Sequence, residues 1–216
     1  MIKISTTFDI YPSINRIPSF GELLDLANAK LKDYLNSINI FCEIKLIAQL
    51  HKKDENIIYD SIVEKALNWD DDYYAWFFFE GIPGGTDAYF WGIDDFYKEI
   101  LIEEINSNKN MQKYSDKIYK SIDVGYRWNF RRSAGQPGII VLSYGLLAAS
   151  LCMLTNGLIY SDDGAWDYSL FPTTADDFLT WYFRPELSNN QDDKIWAEEC
   201  ISSIHKEIEN RTAKYK

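Results

Sequence analysis

Hydrophobic and polar positions follow helical or strand spacing along most of the chain, and the longest apolar run lies between Gly138 and Leu154. Pro137 precedes this run and Asn156-Gly157 follows it, which suits the first turn and the end of a helix. Because the run is apolar on every side, we expect a helix that is buried nearly all round. The run is shorter than the ~20 apolar residues of a membrane span, so it predicts a core helix.

Short elements are predicted after this helix. Leu158 to Tyr160 is typical of a strand, 161–164 of a turn and Ala165 to Tyr168 of a returning strand, because Asp and Gly favour tight hairpins. Thr174 and Asp177 resemble a capping box, which predicts another helix. That helix carries the apolar side chains Phe178, Leu179, Trp181 and Tyr182.

Three more helices are predicted from apolar residues at helical spacing. Ser19 and Glu22 form a capping box before a stripe that runs from Leu24 to Ile38. The other two helices cover Asp94 to Ile105 and Asp192 to Thr212, and 106–112 is expected to be a polar connection.

Alternating apolar residues predict the strands of a sheet. The segment 57–68 is ambiguous between a strand end and a short helix. The element order predicts an α+β fold, with helices packed against a mostly antiparallel sheet, in a single domain spanning residues 1–216. The predicted strands lie at Ile2–Ile10, Ile40–Leu50, Tyr73–Glu80, Ala88–Trp91 and Ile122–Arg131.

Charge and cysteine usage narrow the classes of function. The 22 basic and 33 acidic residues give a net charge of -11, which disfavours nucleic acid and anionic membranes as partners and favours a basic protein. Cys42, Cys152 and Cys200 are odd in number and lie in apolar patterns, so we expect reduced thiols and a cytoplasmic protein. The N-terminal segment lacks the pattern of a secretory signal.

Motifs for catalysis are weak. Residues 81–85 are rich in glycine but lack the lysine of a phosphate-binding loop. Ser143, Asp167 and His205 occur in the order of a hydrolase triad, but Ser143 falls inside a predicted helix. Neither His51 nor His205 has metal ligands at suitable spacing. We therefore predict a protein with no enzymatic activity, no cofactor and no metal.

Adjacent acids beside aromatic residues are the most informative pattern, as in Trp69-Asp70-Asp71-Asp72-Tyr73 and Trp166-Asp167-Tyr168. One interpretation is purely local, because Asp is favoured in turns and at helix starts. A second is a glycan-binding or glycan-hydrolysing site, because rings stack on sugars and paired carboxylates cleave glycosidic bonds. The acids available for such a pair are Asp94, Asp95, Asp162 and Asp167.

A third interpretation is a protein interface, in which aromatic residues are anchors and carboxylates attract a basic partner. The net charge favours this interpretation over a sugar site. The predicted contact residues lie at turns, where side chains are exposed. They are Asp70, Asp71, Asp72, Tyr73, Asp162, Asp163 and Trp166.

The segment 154–186, LTNGLIYSDDGAWDYSLFPTTADDFLTWYFRPE, resembles the C-terminal part of immunity proteins from bacterial polymorphic toxin and contact-dependent growth inhibition systems. The shared features are a core helix ending in Thr-Asn-Gly, an Asp-Asp-Gly hairpin, Phe-Pro and an aromatic helix. The resemblance implies a small cytoplasmic antitoxin that binds a cognate toxin domain, often a nuclease, and has no catalytic residues. An adaptor domain without an antitoxin role is a further alternative.

Overall fold

The computed structural model describes residues 5–55, 57–60, 62–163 and 167–214, which form an α+β domain built on one sheet. All strand pairs in the sheet are antiparallel, and its order is β3-β2-β4-β5-β6-β1-β7. The predicted fold class is therefore confirmed. The strands are β1 Ser5–Tyr11, β2 Leu46–Lys52, β3 Ile58–Tyr59, β4 Tyr73–Phe79, β5 Thr86–Gly92, β6 Tyr126–Ser133 and β7 Leu158–Tyr160.

Helices lie on both sides of the sheet, but they cover the two faces unequally. In the described part of the chain they are α1 Phe20–Ser37, α2 Asp95–Ser107, α3 Lys109–Lys113, α4 Ser115–Val124, α5 Gly138–Leu154, α6 Ala175–Trp181 and α7 Gln191–Lys214. Helices α1 and α5 pack on one face, and α6 and α7 pack against α5. Helices α2 to α4 form a smaller cluster on the other face, with residues of β1 and β7.

Helix α5 is the centre of the larger core, as its apolar run predicts. Every residue from Gly138 to Cys152 is buried. The Glu207 carboxylate of α7 accepts hydrogen bonds from the backbone N–H groups of Gly138 and Ile139 at 2.8 and 3.1 Å, which satisfies donors that a helix start leaves free. No helix within the described ranges has the length and apolarity needed to cross a membrane.

Local capping signals fix the starts of several helices. Ser19 and Glu22 make the predicted capping box at α1. The side chain of Thr174 accepts the N–H of Asp177 at α6, and that of Asp94 accepts the N–H of Tyr97 at α2. The predicted strand β7 is confirmed, and so is the apolar stripe of α7, in which Ala197, Ile204 and Ile208 are buried and Ile201 is partly buried.

The structure corrects four of the predicted segments. Residues 122–124 belong to α4, which ends at Gly125 with φ of +83°, and β6 begins only at Tyr126. The expected connection 106–112 contains most of α3, and 40–45 is not a strand. The ambiguous segment holds the two-residue strand β3.

The fourth correction concerns the hairpin after β7. Residues 164–166, the end of the predicted turn and the start of the predicted returning strand, lie outside the described residues. Asp167 belongs to no helix or strand, and a 3₁₀ turn, Tyr168–Leu170, begins at the predicted last residue of that strand. Strand β7 pairs with β1 instead, and Ile159 forms a bridge with Thr173. The first predicted strand begins among residues 1–4, which also lie outside the described part.

Candidate functional site

The sheet face opposite α1 and α5 carries a band of partly exposed side chains, many of them aromatic, which we call the aromatic face. These residues belong to β2, β4, β5 and β6, whereas the small α2–α4 cluster includes residues of β1 and β7. Strand alternation places them on one side, since their neighbours Ala75, Phe77 and Ala88 are buried in the main core. The aromatic face consists of Ile47, Gln49, His51, Tyr74, Trp76, Phe78, Asp87, Tyr89, Trp91, Asn129 and Arg131.

Strand register sets which of these side chains are neighbours. Gln49 lies opposite Trp76, Trp76 opposite Asp87, and Asp87 opposite Arg131, so the four form one row across β2, β4, β5 and β6. With strands ~4.8 Å apart, this row spans roughly 14 Å. The row combines one large ring with groups that donate or accept hydrogen bonds.

The rings of the aromatic face touch one another in a continuous series. His51 stacks on Tyr74 with ring centroids 5.0 Å apart, Tyr74 lies 6.2 Å from Tyr89, and Tyr89 stacks on Trp91 at 5.9 Å. The ammonium group of Lys53 lies 5.3 Å from the Tyr89 centroid and 5.4 Å from that of Trp91. This geometry suits cation–π attraction.

Trp76 packs against the backbone of Gly85, the residue just before β5. A Cβ atom added to Gly85 would lie 2.6 Å from two atoms of the Trp76 indole. Glycine at this position therefore allows the ring to approach the backbone closely. The indole is held against the sheet while part of its surface stays exposed.

Asp87 and Arg131 form a loose ion pair in the middle of the face. Arg131 Nη1 lies 3.5 Å from Asp87 Oδ2, and the two side chains are 40% and 18% exposed. Burial raises the pKa of Asp87 above its usual value, while the charge of Arg131 opposes this rise. Asp87 is thus a mostly buried carboxylate with weak compensation.

A second ion pair marks the boundary with the helices. Arg127 pairs with Asp9, which also accepts a hydrogen bond from Asn129 at 3.0 Å, and the Arg127 guanidinium lies 4.2 Å from the Tyr97 ring of α2. Burial raises the pKa of Asp9 despite its contact with Arg127. Burial also raises the pKa of Glu104, which Asp162 and Asp9 push further in the same direction.

The predicted contact residues Asp70, Asp71 and Asp72 form an exposed turn at one end of the aromatic face. Lys53 links them to it, because its Nζ donates to the Asp71 carbonyl oxygen. The turn borders an open cavity of about 440 Å³, which is also lined by Trp69, Phe90 and Gly92. Tyr73 points to the helix-covered side, where it packs against the main core.

The predicted contact residues after β7 lie at the opposite edge of the sheet. Asp162 is exposed. Asp163 accepts hydrogen bonds from Thr7 at 2.8 Å and from Ser161 at 3.1 Å, so it connects this loop to β1. Trp166 lies outside the described residues. Four strand steps, or roughly 19 Å, separate β7 from β4, so the structure does not bring the two predicted acidic groups together.

Other candidate residues have local structural roles. Asp94 caps α2, and Asp167 accepts hydrogen bonds from the Ser169 backbone N–H and hydroxyl at 2.9 and 2.6 Å. Ser143 is buried in α5, where its hydroxyl donates to the Ile140 carbonyl at 3.0 Å. Among the residues described, no group of three or more His, Cys, Asp and Glu side chains is arranged to hold a metal ion.

Sequence reasoning missed the aromatic face, although each of its strands was predicted. In β4 both faces are apolar, so alternation does not reveal which one is exposed. The polar alternation of β6 was the available signal. This alternation places Asn129 and Arg131 on the face away from the buried Trp128 and Phe130. Strand register then pairs Arg131 with Asp87 and Asp87 with Trp76 on that same face.

Comparison of the chain with protein families, curated proteins and solved structures finds no match.

Proposed function

We propose that this chain is an immunity protein, which binds and neutralises a basic toxin domain in the cytoplasm and has no catalytic activity of its own. The observation that carries the proposal is the aromatic face, a partly exposed surface that includes two Trp, two Tyr and one Arg. These three residue types dominate the binding energy of protein interfaces. Its central row and ring series would supply the anchors.

The net charge of the chain and the acidic turn at one end of the face support a basic partner. The aromatic face itself is nearly balanced, because Asp87 is paired with Arg131 and Lys53 lies over two of its rings. The net charge of -11 lies mainly elsewhere, with Asp70 to Asp72 at one end of the face and Asp162 at a distance. An apolar centre with a polar rim is the usual anatomy of an interface. The acidic turn and the negative net charge would accelerate association with a cationic domain.

The segment 154–186, which resembles immunity proteins, contributes mostly scaffold. It supplies the end of α5, strand β7 and helix α6. Phe171 and Phe178 from this segment pack against Phe8 in the core, with ring centroids 5.7 and 5.4 Å away. The resemblance therefore supports the proposed kind of protein, whereas the aromatic face suggests how this protein would bind its partner.

The experiment is affinity capture from a lysate of the native host at low salt. Wild-type protein should retain one basic protein that is released by rising salt, and that protein should stop growth when it is expressed alone. The double variant Trp76→Ala/Tyr89→Ala should lose it. Phe96→Ala is the matched control, because Phe96 is 71% exposed on α2 outside the aromatic face. Equal capture by all three proteins would contradict docking on this face.

Glycan binding is the second candidate, and the position of Trp76 favours it. An indole held against the sheet beside Gln49 and Asp87 offers a ring surface and polar groups to a sugar. Tryptophan fluorescence during titration with cellulose and chitin oligosaccharides tests this function. Saturable quenching that Trp76→Ala abolishes would favour glycan binding, whereas an immunity protein should show no response.

A further inference from the structure

Asp87 is a partly buried carboxylate with one loose ionic partner. A carboxylate can accept about four hydrogen bonds. Within the described residues, the 3.5 Å contact with Arg131 is the polar contact of this side chain, which is 18% exposed. A partly buried charge whose ionic partner is 3.5 Å away is weakly compensated, so a closer donor brought by a ligand would stabilise it.

The surroundings of Asp87 match a planar cation. The Trp76 indole lies directly across the strand pair and is held against the Gly85 backbone, so a flat group can stack on its outer surface. Elsewhere on the same face, the ammonium of Lys53 already lies over the rings of Tyr89 and Trp91. Rings on this surface therefore bind a cation of the chain itself, which shows that the chemistry is available here.

Given the proposed function, on which this step rests, we infer that the partner inserts an arginine side chain. Its guanidinium stacks on Trp76 and donates to Asp87 in place of Arg131. Arginine fits better than lysine, because its planar fork can donate two parallel hydrogen bonds to a carboxylate while its face contacts a ring. Arg131 is 40% exposed, so it can turn toward solvent as the new guanidinium enters.

The test uses nuclear magnetic resonance of the full chain with ¹⁵N-labelled tryptophan. The probe is a short synthetic peptide with one arginine, and its control has neutral citrulline, which keeps the shape, at that position. The Trp76 indole resonance is assigned with Trp76→Phe. We expect the arginine peptide to shift this resonance and the citrulline peptide to leave it unchanged.

Two variants that remove one negative charge each locate the site. Asp87→Asn should weaken binding of the arginine peptide by about tenfold or more, as expected for the loss of a charge-assisted hydrogen bond. Asp25→Asn should not, because Asp25 is exposed on α1, on the opposite side of the sheet. Circular dichroism of both variants confirms that the fold is retained.

Other results would overturn the inference. One is equal affinity of wild type and Asp87→Asn for the arginine peptide, and another is an unshifted Trp76 resonance at saturating peptide. A shift of Trp76 by neutral oligosaccharides alone would assign the site to a glycan.

If a captured basic partner binds Asp87→Asn as tightly as wild type, the arginine site is wrong while the immunity function stands. If a single salt-sensitive basic partner is absent but the arginine peptide binds at Asp87, the site stands without the antitoxin role.

Discussion

The two faces of the sheet use similar side chains for different purposes. On β4, Phe77 and Phe79 face α1 and α5 and are buried, whereas Trp76 and Phe78 on the alternate positions remain half-exposed. Both sets are large and apolar. The difference is the layer that covers them, which shows that residue type alone does not assign an aromatic side chain to the core or to a binding surface.

The faces also differ in how polar groups are accommodated. On the covered face, Trp128 Nε1 donates to the Leu67 carbonyl at 2.6 Å and Tyr182 Oη to the Val141 carbonyl at 2.7 Å. On the aromatic face, Asp87 has a loose partner and a raised pKa. The covered side also holds buried polar atoms without a hydrogen-bond partner, such as Thr86 Oγ1 and Ser150 Oγ, whereas Asp87 on the open side is 18% exposed and can be reached by a ligand.

The largest expected contrast is between two aromatic truncations. Phe8 is fully buried and stacks on Tyr144 with ring centroids 4.5 Å apart, so Phe8→Ala should lower the free energy of unfolding by about 3–5 kcal/mol. Trp76→Ala removes a half-exposed ring and should lower it by about 1 kcal/mol. Urea denaturation of both variants measures the difference. Similar losses would mean that the aromatic face is part of the folding core.

Two glycine substitutions give a smaller contrast. A Cβ at Gly145 would lie 2.1 Å from the Tyr182 ring, so Gly145→Ala should separate α5 from α6 and lower the free energy of unfolding by about 1–3 kcal/mol. Gly92, at the end of β5, has no atom within 4 Å of an added Cβ. Gly92→Ala should be neutral or stabilising by up to about 1 kcal/mol. Thermal unfolding compares the two, and a destabilised Gly92→Ala would contradict the open space there.

Asp87→Asn should separate stability from binding. The pKa of Asp87 is higher in the folded protein, so between its ordinary value of 3.8 and the raised value the folded state holds the proton more tightly. Stability from this group is therefore lost as the pH rises through that window. Asp87→Asn should match wild type below this window and be at least as stable at neutral pH. Urea denaturation across pH checks this, and a variant that is less stable only at neutral pH would reverse the sign.

The smallest effect on stability is expected at the acidic turn. Replacing Asp70, Asp71 and Asp72 with Asn should change the free energy of unfolding by less than about 0.5 kcal/mol, because all three side chains are exposed. It should slow association with the captured partner at low salt and flatten the salt dependence. Stopped-flow measurements test this against a control variant in which the exposed Asp25, Asp33 and Glu198 are neutralised. Equal slowing would show that net charge, rather than this turn, steers the partner.

Local signals explain which elements could be predicted. The capping box at Ser19 and the apolar run of α5 lie within a few residues of the structure they specify. The alternation from Ile122 to Phe130 was misleading, because its first part follows Ile118 and Ser121 at helical spacing and packs in the α2–α4 cluster. Gly125, with its positive φ, was the signal for that boundary.

The candidate site was less predictable. Asp70 to Asp72 could be recognised as an exposed turn, but Asp163 is engaged by Thr7, a residue 156 positions earlier in the chain. The position of Asp87 between Trp76 and Arg131 depends on the pairing of three strands. Such pairings join residues far apart in sequence, so no local pattern specifies them.

The sequence by itself determined most of the elements and the α+β fold class, because caps, periodicity and an apolar run act through neighbouring residues. It also determined the charge of the molecule. Tertiary structure alone decided which side of the sheet stays open. Strand alternation places aromatic residues on both sides of β4. The long-range packing of α1 and α5 buries one side, while the apolar residues of α2 to α4 pack on β1 and β7 at the edge of the other side.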